Sequence, residues 1–104
     1  MQSVGRSLKE QEEPVSVTIH LHKTHRQFAN GLASVDAVGQ TVGECLENLI
    51  ERYPGLKPHV FDTGGKLLRT IEIYLNMTSA YPNEMAKPTK DGDQIHITLM
   101  LAGG

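Results

Sequence analysis

Residues 41–55 read TVGECLENLIERYPG, and their spacing decides the fold class. Thr41 followed three residues later by Glu44 is a capping box, in which each side chain satisfies a free backbone N–H at a helix start. Val42, Cys45, Leu46, Leu49, Ile50 and Tyr53 recur every three or four residues and make one apolar stripe. Pro54 blocks continuation, and Gly55 lets the chain turn. Gly43 in the first turn costs about 1 kcal/mol relative to Ala, so close packing is expected there. The helix has one face to bury and needs a sheet to bury it against.

Strands lie on both sides of it. Upstream, Val15, Val17, Ile19 and Leu21 alternate with Ser16, Thr18, His20 and His22, the period of a half-buried strand. KTHRQFANG (23–31) reads as a turn-rich connection. LASVDAV (32–38) reads as a second strand with Leu32, Val35 and Val38 as apolar positions, paired antiparallel to the first. Downstream, LKPHVFD (56–62) reads as a short helical turn carrying Leu56, Val60 and Phe61 inward, and Gly64-Gly65 as a tight turn. A third strand sets Ile71, Ile73 and Leu75 against Thr70, Glu72 and Tyr74. After a loop over 77–92, the last strand points Ile95, Ile97, Leu99 and Leu101 inward and His96, Thr98 and Met100 outward. Strand, strand, helix, strand, strand implies α+β, with one main helix on one face of a mixed sheet. The β-grasp arrangement fits, and pattern alone admits other small α+β topologies.

The chain has 104 residues, 38% hydrophobic and 21% charged, which suits one globular domain. Residues 1–13 are polar and are expected to form a flexible arm, with the domain over 14–104. No apolar run nears the ~18 residues of a membrane span, and the first residues lack the apolar stretch of a signal peptide. A cytoplasmic location is therefore expected, with no membrane partner. The single cysteine, Cys45, forms no internal disulfide. A net charge of −2 and 5% aromatic residues lack the footprint of a nucleic-acid binder.

The sequence ends Leu101-Ala102-Gly103-Gly104. At an average glycine usage of about 7%, two terminal glycines arise in roughly one chain in two hundred. A terminus that does nothing is the plain reading; the sharper one makes the Gly104 carboxylate the functional group. Glycine lets backbone pass where a side chain would clash. Four extended residues span at most about 14 Å, enough to reach into a partner.

GQTVGECLENLIERYPGL (39–56), IEIYLN (71–76), KDGDQIHI (90–97) and the closing LAGG together resemble the ubiquitin-like sulfur carriers of the ThiS/MoaD type over roughly residues 15–104. The length and the FDTGGKLLR segment (61–69) look more like molybdopterin-synthase small subunits and the carriers of cysteine biosynthesis than the thiamine carriers. The resemblance implies a β-grasp fold and a carrier that is not itself an enzyme. It also implies no bound cofactor, because a ubiquitin-activating-type adenylyltransferase uses the ATP. That partner adenylates Gly104, sulfur displaces AMP, and the thiocarboxylate serves a sulfur-accepting synthase; Leu101, Ala102 and Gly103 are the tail. Asn76-Met77 stands where relatives often carry Asn-Gly or Asn-Asp.

Other residues carry weaker readings. His20, His22 and His25 have spacing a metal could use, against the plainer reading of histidines facing solvent or a partner. His20, Tyr74, Thr98 and Met100 form a candidate docking patch. Cys45 in the helix stripe reads as a buried structural thiol. Gly64-Gly65-Lys66 lacks the strand and helix context of a phosphate loop. Three functions follow: a sulfur carrier, a ubiquitin-like modifier joined to lysines through Gly104, or an enzyme or metal domain built on the histidines.

Overall fold

A computed structural model describes residues 15–100; the expected arm and the tail residues Leu101, Ala102, Gly103 and Gly104 lie outside the described residues. Helix α1 spans Val42–Arg52. The Thr41 hydroxyl accepts from Glu44 N at 3.1 Å, as the capping box predicts. The return bond is displaced by one residue: Glu44 Oε1 accepts from Gln40 N at 2.7 Å. There the chain entering α1 lies against residues 87–89, with Val42 N donating to Lys87 O and Thr89 N to Gln40 O.

The strands are β1 (Ser16–His20), β2 (Ser34–Val38), β3 (Ile71–Leu75), β4 (Thr78–Ser79) and β5 (Gln94–Leu99). They form one mixed sheet in the order β2-β1-β5-β3-β4. β1 pairs antiparallel with β2 and parallel with β5, and β3 runs antiparallel to both β5 and β4. The parallel contact at the centre requires the crossover that α1 supplies. Val17, Ile19, Ile71, Ile73, Ile95 and Ile97 turn inward and meet Val42, Cys45, Leu46 and Leu49 of α1 in one core. Pro54–Leu56 and a one-turn helix α2 (Lys57–Val60) add Leu56 and Val60. No helix among the described residues is long and apolar enough to cross a membrane.

Three sequence expectations change. In β2 the buried positions are Val35 and Ala37, while Leu32 and Val38 are exposed. The register Ile19↔Val35 and Val17↔Ala37 places the inner face, and a period-two strand cannot bury both Val35 and Val38. The connection after β1 is a 3₁₀ helix, Lys23–Ala29, that buries His25 and Ala29. The loop after β3 contains β4, giving five strands where four were expected.

α1 also guards the outer edge of β2. Asn48 Oδ1 accepts from Val38 N at 3.1 Å, and the Arg52 guanidinium donates to Asp36 O. Both backbone groups face away from β1, so helix side chains occupy an edge that would otherwise recruit another strand.

Two turns yield predictions. Asn76 and Met77, the two residues between β3 and β4, have φ of 51° and 72°, the type I′ conformation that favours glycine. Left-handed backbone costs an L-residue about 1–2 kcal/mol, part of which glycine returns through its floppier unfolded state. Met77→Gly is therefore expected to raise stability by up to about 1 kcal/mol, read as a higher urea midpoint. At Gly43, an added Cβ would sit 2.9 Å from Met85 O and 3.1 Å from Met85 Cβ. Gly43→Ala gains about 1 kcal/mol of helix propensity but meets overpacking of about 1–3 kcal/mol. A lower Tm is expected; a rise would mean that Met85 yields freely.

Candidate functional site

The sheet face opposite α1 has no covering layer among the described residues. Register builds a polar row straight across it: Ser34 on β2, His20 on β1, His96 on β5, Tyr74 on β3 and Ser79 on β4. Thr98 lies beside Glu72 in the next row, and exposed Met100 continues the alternation. The four patch residues expected from sequence, His20, Tyr74, Thr98 and Met100, thus share one face. His96 joins them at the centre of the row.

The two imidazoles there form a unit. Their rings stack with centroids 4.2 Å apart and planes 9° apart. His20 Nε2 donates to Gln94 Oε1 at 2.6 Å. His96 Nδ1 is buried without a hydrogen-bond partner, and burial followed by the neighbouring His20 holds His96 below the ordinary imidazole value. Protonating His96 therefore becomes harder.

The same face reaches the last described residue. β1 ends at His20, opposite His96, while β5 runs on beside β3. Met100 N donates to Thr70 O at 2.7 Å. The last described residue is therefore held by the sheet, at the end of a central strand.

The acidic turn lies at the other end and is occupied with structure. Asp91 Oδ1 accepts from Ser16 N at 3.0 Å, and Gly92, at φ +90°, donates to Ser16 O. Asp93 accepts from Asn76 Nδ2 at 2.9 Å and from Lys90 N at 2.8 Å. The Asn76 bond comes first in holding its carboxyl below the usual range. This motif ties β5 to β1 and to the β3–β4 turn.

The metal reading finds no convergence. Among the described residues, no three His, Cys, Asp or Glu side chains are grouped to hold a metal ion. His20 is stacked on His96, His22 Nδ1 accepts from Thr24 N, and His25 is inside the protein, correcting its expected outward position. Cys45 is fully buried, its Sγ 3.7 Å from Gly39 O, and burial pushes its thiol up. The N–H groups of Gly64 and Lys66 donate to Asp62 Oδ1 at 2.8 and 2.9 Å, so the turn spends them internally. A groove of about 440 Å³ runs along α1 beside Ile50, Phe61 and Met85 and has no His, Cys, Ser or Thr in its lining.

Comparisons with known proteins agree with this geometry. The model of the ThiS family matches residues 19–104. The sulfur carrier protein CysO of Mycobacterium tuberculosis is 31% identical over 93 residues, 86% of this chain and all of the relative. Among solved structures, the small archaeal modifier protein SAMP1 of Methanosarcina acetivorans superposes with a TM-score of 0.79 at 26% identity, over 88% of this chain and 99% of that one. A chain of the BexX/CysO complex of Amycolatopsis orientalis does so with a TM-score of 0.76 at 31% identity, over 85% and 99%. With the β-grasp sheet, its single covering helix and a family match running from β1 to the final glycine, the chain belongs to the ThiS family.

Proposed function

We propose that this protein is a sulfur carrier whose Gly104 carboxylate is adenylated and then converted to a thiocarboxylate. The observation that carries the reading is that the family match extends through residue 104, so the diglycine belongs to the shared region. A free carboxylate is a poor electrophile. Attack of its oxygen on the α-phosphorus of ATP releases pyrophosphate and leaves an acyl adenylate; hydrosulfide then displaces AMP and leaves the thiocarboxylate. Both steps belong to an activating enzyme, which supplies the ATP site, and this chain is substrate rather than catalyst. The sulfur is then passed to an accepting synthase.

His20, Tyr74, Thr98 and Met100, with His96 between them, form the face by which these enzymes hold the domain while the tail enters their active site. That the CysO of Amycolatopsis orientalis was solved in a complex with BexX supports a carrier that docks. A reducing cytoplasm suits both the single free Cys45 and a thiocarboxylate.

The intact mass of the protein, purified from its native host under reducing conditions, tests this. A species heavier by the exchange of one oxygen for sulfur, confined to the C-terminal peptide, is expected. The likeness to SAMP1, a modifier by name, favours one second reading: joining through Gly104 to lysines of other proteins. Only unmodified protein, together with tail-dependent adducts on other chains, would move the conclusion there.

A further inference from the structure

Because β1 runs parallel to β5, the 3₁₀ segment Lys23–Ala29 that follows β1 lies at the end of the sheet from which the chain leaves Met100. His25 in this segment is only 4% exposed, and its Nδ1 has no hydrogen-bond partner. Its ring centroid is 5.9 Å from that of His22 and 6.3 Å from that of His59. Phe28, on the same segment, stacks on His59 at 4.1 Å and 21°. A line of three imidazoles and one phenyl ring thus fastens residues 22–29 to residues 54–60.

Neither stretch contains a carboxylate. Their ionisable residues are His22, Lys23, His25, Arg26, Lys57 and His59, all bases. A proton on His25 would meet burial and further cations, with no anion from either segment to offset it. Burial, then His22 and His59, hold His25 below the ordinary imidazole value. His22 Nδ1 accepts from Thr24 N at 3.2 Å and caps the segment.

We infer that His25 is a proton-operated latch: neutral, it holds Lys23–Ala29 against α2, and on taking up a proton it releases that corner beside the tail exit. The sign follows from linkage. Above about 6.5, the ordinary imidazole value, closed and open forms are both neutral and the latch holds fully. As pH falls below that, the open form takes the proton first, and closure weakens until the closed form also titrates. The inference rests on the described residues and stands whether or not the tail carries sulfur.

The test is a pH titration of the full chain by NMR, following the imidazole signals and amide exchange scaled to intrinsic rates. His25 is expected to titrate below about 6.5. Protection of the Gly31 and Leu32 amides, which donate to Arg26 O and Ala29 O, should fall severalfold in step with it while β5 amides stay protected. His59→Gln, which removes one basic neighbour, should move the His25 midpoint upward. A His25 midpoint at or above the ordinary value, protection that stays flat through its titration, or equal loss of protection in β5 would each overturn the latch.

Discussion

Deleting Gly103 and Gly104 is expected to abolish sulfur loading while leaving thermal stability unchanged within about 0.5 kcal/mol. The structural reason is that the core is built from residues within 15–100, and Met100 N is already bonded to Thr70 O. The chemical reason is reach. Removing two extended residues draws the carboxylate back by about 7 Å, and a reacting group displaced far less than that loses most of its rate. The deleted chain ends on Ala102, which would also bring a Cβ where the proposed activating enzyme is expected to meet bare backbone. Incubation with that enzyme, ATP and a sulfur source, followed by intact mass, reads loading; calorimetry reads the fold. Full loading of the shortened chain would end the tail hypothesis. Tyr74→Ser on the outer face should instead give a partial loss. The carboxylate is untouched, but one anchor worth about 1–2 kcal/mol is removed from docking, so KM rises roughly 5- to 30-fold with kcat retained.

Leu46→Ala should produce the largest loss of stability short of unfolding, about 2–5 kcal/mol. Leu46 is fully buried on α1, the one long helix over the inner face. When it is truncated, the β1, β5 and β3 side chains beneath it cannot close the gap without shifting a whole sheet. Against a usual total of about 5–15 kcal/mol, such a loss lowers Tm by roughly 10 °C or more. Leu32→Ala is the control. Leu32 is 42% exposed, and its truncation should change stability by less than about 0.5 kcal/mol. Equal effects at the two leucines would contradict the exposure of Leu32 against the burial of Leu46. Urea or thermal melts of both variants decide the matter.

The elements that periodicity describes were legible before any coordinates. α1 begins at its Thr41 cap and buries Val42, Cys45, Leu46 and Leu49 as its three-and-four spacing requires. β1, β3 and β5 bury alternate residues as their period of two requires. LASVDAV offers Leu32, Val35 and Val38 as apolar positions without clean alternation, so pairing with β1 settles the inner face instead. β4 is only Thr78–Ser79, too short to leave a periodic trace, and exists because the Asn76-Met77 turn folds it back on β3. His25 sits in a polar stretch whose neighbours face water, so no local signal marks it as buried. A hint existed in Phe28 and Ala29, apolar residues in an otherwise polar connection.

The sequence by itself therefore determined the α+β class, the covering helix and the inward faces of three strands, because each follows from residues close together along the chain. Tertiary structure alone decided which distant residues share a face. It set His20, His96 and Tyr74 in one row across three strands, laid Asn48 and Arg52 over the β2 edge, and closed His59 on Phe28 and His25. These neighbours are fixed by strand register and by the right-handed return of a helix over a sheet, which depend on the whole core packing at once and leave no mark at any single position.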